Sequence, residues 1–93
     1  EEDAWYLAHR LLGDFYLDER PAEAIPCFAE FRKSNRAGAD SAFKLGKAFE
    51  AVGDLPKAAR FYEEVLTFPD HPLYYEAKDA IARLKSAGVA RKS

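Results

Sequence analysis

The chain has few of the features that mark secreted, membrane and nucleic-acid-binding proteins. With one cysteine in 93 residues, no disulfide can form within the chain, which favours a reducing compartment such as the cytoplasm. No apolar run approaches the roughly 18 residues that a membrane-spanning helix needs, and no basic-then-apolar signal segment opens the chain. The 14 basic and 16 acidic residues give a net charge of -2, so the overall charge does not favour nucleic acid as a partner.

Methionine is also absent, and the chain begins at Glu1. We therefore expect a processed product or an excised piece of a longer protein. The composition that remains, with 48% hydrophobic and 32% charged residues, is ordinary for a folded chain and too hydrophobic for a disordered one. This length allows a single small domain over residues 1–93, with a modest core.

An internal repeat is the most informative feature of the sequence. When the chain is shifted by 34 residues against itself, its apolar positions coincide. Six pairs match without a gap, small residue with small and larger apolar residue with larger apolar, which indicates stacked supersecondary units. We expect the shared apolar positions, Leu11 and Leu45 among them, to be buried between the helices. The pairs are Ala8 with Ala42, Leu11 with Leu45, Phe15 with Phe49, Ala24 with Ala58, Phe28 with Tyr62, and Phe31 with Val65.

Each copy has the spacing of two amphipathic helices. In the second copy, small and apolar residues recur at i, i+3, i+4 and i+7 from Ala42, and at i, i+4, i+7 and i+8 from Ala58. Between the two runs, we expect Gly53 to adopt a left-handed conformation and end the first helix. We expect Asp54 to be the N-cap of the second helix, and Pro56 suits the first turn of that helix. So short a break predicts an antiparallel hairpin.

The unit A-x-x-L-G-x-x-F-x-x-x-G-D-x-x-x-A-x-x-x-Y-x-x-V, from Ala42 to Val65, resembles a tetratricopeptide repeat (TPR). A weaker copy runs from Ala8 to Phe31. The resemblance implies an all-α protein of about five helices, in which antiparallel hairpins stack as a right-handed α-solenoid. It divides the chain into repeat 1 at 4–37, repeat 2 at 38–71, a capping helix or the start of repeat 3 at 72–87, and a basic tail at 88–93.

The first copy departs from the second at two places. Leu12 stands where the second copy has Gly46, and Gly13 comes one place late, which weakens the predicted close approach of the two helices. Glu19 replaces the turn glycine Gly53, and a left-handed Glu19 would cost about 1 kcal/mol.

The two ends of the repeat array raise different expectations. The segment Leu73–Ser86 predicts a fifth helix, whose small and apolar residues recur with the same spacing and form its apolar face: Ala77, Ala80, Ile81 and Leu84. Terminal repeats need a polar outer face, which Asp79, Arg83 and Lys85 would supply, so we favour a capping helix over the start of a third repeat. At the other end, Trp5 either covers the first hairpin or contacts a preceding repeat.

Little in the sequence points to catalysis. Neither His9 nor His71 has Cys, Asp or Glu partners at a metal-ligand spacing. Cys27 lies in a predicted helix with no histidine near it in sequence, which is typical of a packing thiol rather than a nucleophile. No glycine-rich phosphate loop is present. We therefore expect no enzyme activity, no cofactor and no metal site.

The resemblance implies a binding groove on the concave surface, which in TPR proteins comes from the first helix of each hairpin. A peptide or helix of a partner protein would bind there. Aromatic residues would supply contact area, and lysines suit an acidic peptide or a terminal carboxylate. The candidate residues are Tyr6, His9, Gly13 and Tyr16 of the first helix, Asp40, Phe43, Lys44, Lys47 and Glu50 of the third, and Tyr75, Lys78, Ala82 and Lys85 of the fifth.

The sequence leaves more than one function open. The first is a protein-interaction module, an adaptor or scaffold without catalysis. The alternative is a structural or self-association segment, in which Tyr6 and Phe43 pack against helices and the exposed aromatic surfaces are covered by neighbouring repeats or a second copy. RNA binding is a weaker third reading because the chain is nearly neutral. No nucleic-acid or membrane partner is expected.

Overall fold

The chain folds into α-helices in a computed structural model that describes residues 2–33 and 38–86. The helices are α1 (Glu2–Glu19), α2 (Pro21–Phe31), α3 (Gly38–Ala51), α4 (Leu55–Val65) and α5 (Tyr74–Ser86). These two stretches contain no β-strand, which confirms the all-α class. No helix within them is both long enough and apolar enough to cross a bilayer. The predicted basic tail at 88–93 lies outside the described residues.

The turn between α3 and α4 forms as the sequence predicts. Gly53 has a φ of 91°, the left-handed conformation that glycine adopts at least cost. The Asp54 side chain caps α4 by accepting a hydrogen bond from the backbone N–H of Lys57, at 3.4 Å. Pro56 lies in the first turn of α4, where its missing N–H has no helical partner to lose.

The turn between α1 and α2 is tighter than its counterpart. Helix α1 continues through Glu19, and Arg20 alone separates it from Pro21, the first residue of α2. No non-glycine residue in the described ranges has a positive φ, so Glu19 is not left-handed and does not carry the predicted strain. The first hairpin therefore reverses without a turn glycine because its first helix runs further.

The longer α1 has a different register from α3. A Cβ atom built on Gly13 would lie 2.7 Å from Cδ1 of Phe28, and one built on Gly46 would lie 2.8 Å from Cδ1 of Tyr62. Both glycines therefore let a backbone approach an aromatic ring of the following helix. The two rings are 34 residues apart, whereas the two glycines are 33 apart. Gly13, not Leu12, is the structural counterpart of Gly46.

This one-residue difference overturns part of the predicted core. The 34-residue alignment puts Leu11 with Leu45 and Phe15 with Phe49. In the structure Leu45 is 2% exposed, but Leu11 is 54% and Phe15 75% exposed. One residue corresponds to about 100° of rotation in an α-helix, so a one-place shift carries a predicted core face to the surface. The prediction that the apolar skeleton of α1 is buried is wrong for these residues and for Ala8, which is also exposed.

The core is divided into two clusters along the series of helices. The first surrounds Phe28 and joins α2 to α3, with Tyr16 of α1 packed at its edge. The second surrounds Tyr62 and joins α3, α4 and α5. Phe28 and Tyr62 are 0% and 1% exposed, and burial of a side chain of this size contributes about 1.5–3 kcal/mol.

Helix α5 presents its predicted apolar face to the core. It begins at Tyr74, one residue later than expected, and ends at Ser86. Its buried residues are the predicted ones, Ala77, Ala80, Ile81 and Leu84.

Ion pairs connect helices of different hairpins. Because their side chains are partly exposed, each is worth at most about 1 kcal/mol, and they orient the helices more than they stabilise them. Three such pairs are Lys44 with Asp14 at 2.9 Å, Arg32 with Glu64 at 2.7 Å, and Arg83 with Glu50 at 2.7 Å.

We expect Gly13→Ala to destabilise the chain by about 1–2 kcal/mol. The new methyl group would overlap the Phe28 ring, which is buried and has little room to move, and this cost exceeds the helix-propensity gain of about 1 kcal/mol. Urea unfolding followed by circular dichroism measures the change. Glu19→Gly is the companion variant: it should also destabilise, because Glu19 is helical, and a stabilised Glu19→Gly would contradict the register described here.

Candidate peptide-binding groove

A groove lies between α3 and α5, and a tyrosine of α4 forms part of its wall. Its volume is about 540 Å³. Small ligand sites span roughly 300–1,000 Å³, so a side chain or a short peptide segment fits. The lining residues are Phe43, Lys47, Glu50 and Ala51 of α3, Tyr62 of α4, and Glu76, Asp79, Ala80 and Arg83 of α5.

Glu50 is the centre of a hydrogen-bond network in this groove. The Tyr62 hydroxyl donates to Oε1 of Glu50 at 2.8 Å. Arg83 donates from Nη2 to both carboxylate oxygens, at 2.7 Å each. The network joins one residue from each of the three helices and fixes the position of the Glu50 carboxylate.

The same network shifts the acid–base behaviour of its members. Burial, followed by the hydrogen bond and negative charge of Glu50, raises the pKa of the Tyr62 phenol well above its usual value. The hydrogen bond to Glu50 raises the pKa of Arg83 in turn. Both groups therefore keep their protons in the folded state at neutral pH.

Of the five predicted residues of α3, three line the groove, whereas Asp40 and Lys44 do not. Phe43 lies half-buried against Tyr62, with ring centroids 5.6 Å apart. The Lys47 ammonium lies 5.7 Å from the centre of the Phe43 ring, a cation–π distance, and Glu50 is held as described. Lys44 instead donates to Asp14 at 2.9 Å and lies between α1 and α3.

The predicted residues of α1 lie away from this groove. Tyr6 and Tyr16 are half-buried against the Phe28 cluster. The His9 ring is within hydrogen-bond distance of the backbone carbonyl of Trp5, with Nδ1 to oxygen at 2.9 Å. Gly13 is buried against Phe28 and serves internal packing, so its placement on a free face was wrong.

Helix α5 contributes a different face from the predicted one. Tyr75 is 69% exposed, and the Lys78 ammonium lies 5.8 Å from the centre of the Tyr74 ring; neither residue lines the groove. Asp79 and Arg83, expected on a polar outer face, line it instead. The opposite charges of Glu50 and Arg83, which are 33 residues apart in sequence, were the signal that could have identified this pair.

The lining changes the expected charge of the ligand. Lys47 is the cation of the lining that lies outside the Glu50–Arg83 pair, and Glu76 and Asp79 add two carboxylates to the same lining. The lining therefore carries a small negative excess, whereas the lysines of the sequence suggested an acidic ligand. A ligand with a basic group fits this lining better.

The histidines and the cysteine that the sequence analysis considered for metal binding or catalysis lie outside the groove lining. Among residues 2–33 and 38–86, no three His, Cys, Asp or Glu side chains form a group that could hold a metal ion. Cys27 is buried, and burial together with the nearby charge of Glu23 raises the pKa of its thiol, so it is a poor nucleophile. Nδ1 of His71 accepts a hydrogen bond from the backbone N–H of Leu73 at 3.1 Å and organises the loop before α5.

We expect Tyr62→Phe to lower the free energy of unfolding by about 1 kcal/mol at pH 7. The difference in stability between this variant and wild type should become smaller at high pH. The folded state holds the phenol proton more tightly than the unfolded state, whose pKa is about 10. The contribution of the proton is therefore complete below pH 10 and is lost as the pH rises further. Thermal unfolding between pH 7 and pH 11 measures it, with the exposed Tyr75→Phe as control. A constant difference across that range would contradict the network.

The chain matches no family model, no curated protein and no solved structure in comparisons with each. The TPR resemblance therefore rests on the internal repeat of the sequence. Since a fold does not by itself determine a function, the functional proposal has to come from the surfaces of the molecule.

Proposed function

We propose that the chain is a TPR-like protein-interaction module, in which the helix hairpins stack as a right-handed α-solenoid and the groove between α3 and α5 binds a segment of a partner protein. The observation that carries the proposal is the convergence of Phe43, Lys47 and Glu50 with the polar face of α5 in one groove. In the proposed repeat, α3 is the first helix of repeat 2, and α5 follows it at the place where the first helix of a next repeat would lie, whether it is a cap or the start of repeat 3. A concave binding surface is expected on helices in these places.

The chemistry of the groove favours a partner segment with a basic side chain next to an apolar one. Phe43 offers a half-buried aromatic surface for apolar contact. The exposed carboxylates of Glu76 and Asp79 would attract a lysine or arginine of the partner. The Glu50 carboxylate is less available to the partner because it already pairs with Arg83. The fixed Glu50–Arg83 pair would add polar contacts with little entropy lost on binding.

We expect peptides selected on the wild-type chain from a random display library to be enriched in lysine and arginine. Their affinity should fall about tenfold in Asp79→Lys, because a carboxylate next to the bound cation is replaced by a like charge. Fluorescence polarisation of a selected peptide measures the affinity. Phe43→Ala is a poorer probe because Phe43 packs against Tyr62 and its loss also weakens the core.

The matched control is Glu63→Lys, which makes the same change of charge at an exposed position of α4 outside the groove lining. It should leave the affinity within twofold of wild type. Equal binding of the selected peptides to wild type and Asp79→Lys would remove the groove from consideration.

A second candidate function is structural, and the exposed apolar side chains of α1 favour it. Leu11 and Phe15 are among the large apolar residues most exposed to solvent in the described part of the chain. Covering by neighbouring repeats or by a second copy would bury them. The molar mass in solution distinguishes these two coverings, since only a second copy doubles it.

A further inference from the structure

One face of α1 is apolar and exposed along about three helical turns. Six apolar residues between positions 4 and 15 lie within one 140° sector of the helix, opposite the face that packs against α2. Contiguous apolar surfaces of this kind commonly mark an interaction site. We call this face the α1 stripe; it consists of Ala4, Leu7, Ala8, Leu11, Leu12 and Phe15, all of them exposed.

The corresponding face of α3 is covered by a helix. Gly13 and Gly46 hold equivalent places, so Leu12 corresponds to Leu45, and Phe15 to the residue three further on. Leu45 is 2% exposed and packs in one cluster with Phe28 of α2. The stripe is thus the surface on which the repeat pattern places the second helix of a hairpin.

Side-chain size sets one requirement for the helix that would cover the stripe. At the place equivalent to Phe15, α3 carries Ala48, which is completely buried. Phenylalanine is much larger than alanine, so a helix that packs over Phe15 needs small residues opposite it. The covering helix is therefore amphipathic like α2, but the apolar side chains that it places opposite Phe15 are smaller.

Charge indicates one end of the covering helix. Helix α1 ends with Asp18 and Glu19, both exposed and both on the side of the stripe. Its one arginine, Arg10, lies on the opposite face and pairs with the carboxylate four residues further on, at 3.5 Å. The stripe is therefore flanked by negative charge at its C-terminal end, which suits a helix with lysine or arginine in the turn that lies beside Asp18 and Glu19.

The same charges argue against a parallel contact with a second copy of this chain. A parallel two-fold contact through the stripe places Asp18 and Glu19 of one copy beside those of the other. Like charges directly opposed weaken an interface.

We propose that the α1 stripe docks an amphipathic helix that carries alanine and leucine on its apolar face and lysine or arginine in the terminal turn beside Asp18 and Glu19. This proposal rests on the structural role suggested above for α1. It is independent of the groove, which lies between α3 and α5.

The test uses a fluorescein-labelled 18-residue peptide with leucine and alanine on one helical face and lysine in its first and last turns. A matched peptide carries glutamate in place of the lysines. We expect the lysine peptide to bind the 93-residue chain and the glutamate peptide to bind at least fivefold more weakly at low salt, with the difference shrinking as salt is added.

Variants of the chain locate the peptide. Leu11→Ser and Phe15→Ser change exposed side chains, so the fold should persist. Each variant should bind the lysine peptide at least tenfold more weakly than wild type does. Val52→Ser is the matched control, because Val52 is 41% exposed and lies outside the stripe. Circular dichroism confirms that each variant is folded.

Asp79→Lys separates this proposal from the groove. Full binding of the lysine peptide to Asp79→Lys, with loss in Leu11→Ser, supports the stripe. Loss in Asp79→Lys with full binding to Leu11→Ser places the peptide in the groove and overturns the proposal. Absence of binding to wild type overturns it as well. A wild-type dimer that Leu11→Ser converts to monomer overturns it in favour of a second copy.

Discussion

The contact between a helix glycine and a buried aromatic ring determines the geometry of this molecule. At Gly13 and again at Gly46, the missing side chain lets the backbone rest on a ring of the following helix, Phe28 in one hairpin and Tyr62 in the other. Any larger residue would push the helices apart, because the rings are enclosed and cannot yield. Each glycine therefore fixes both the separation of its two helices and their rotation about their own axes.

The second of these contacts also builds the groove. The ring of Tyr62 is held against Gly46, so its hydroxyl extends past the core and donates to Glu50. Glu50 then accepts from Arg83, which connects α5 to α3. The candidate binding surface is thus assembled by a chain of contacts that starts from internal packing. A polar network of this kind loses most of its value when one member is removed, because the remaining members keep the desolvation cost.

Much of the groove could not be predicted from the sequence, for a rotational reason. On α3 the pattern selected Phe43 and Lys47, and both line the groove, because they lie beside an apolar face that is itself unambiguous in the sequence. On α5 the same reasoning selected Tyr75, whereas Asp79 and Arg83 face the groove. A shift of one position along a helix leads from one face to the next, and the sequence pattern does not distinguish the two. Only the packing of α5 against Tyr62 decides which face of α5 turns towards the groove.

The sequence alone determined the number of helices, their approximate ends, the glycine turn at Gly53 and the buried face of α5. These properties depend on local spacing and on backbone preferences that each segment carries by itself. The tertiary structure decided the rotation of α1 and, with it, the exposure of Leu11 and Phe15. Two alignments of α1 with α3 are in conflict. The 34-residue match aligns Leu11 with Leu45, whereas the glycine contacts align Gly13 with Gly46 and turn Leu11 to the surface. The glycine prevails because close contact with Phe28 tolerates no side chain, whereas an exposed leucine costs only the burial energy it forgoes.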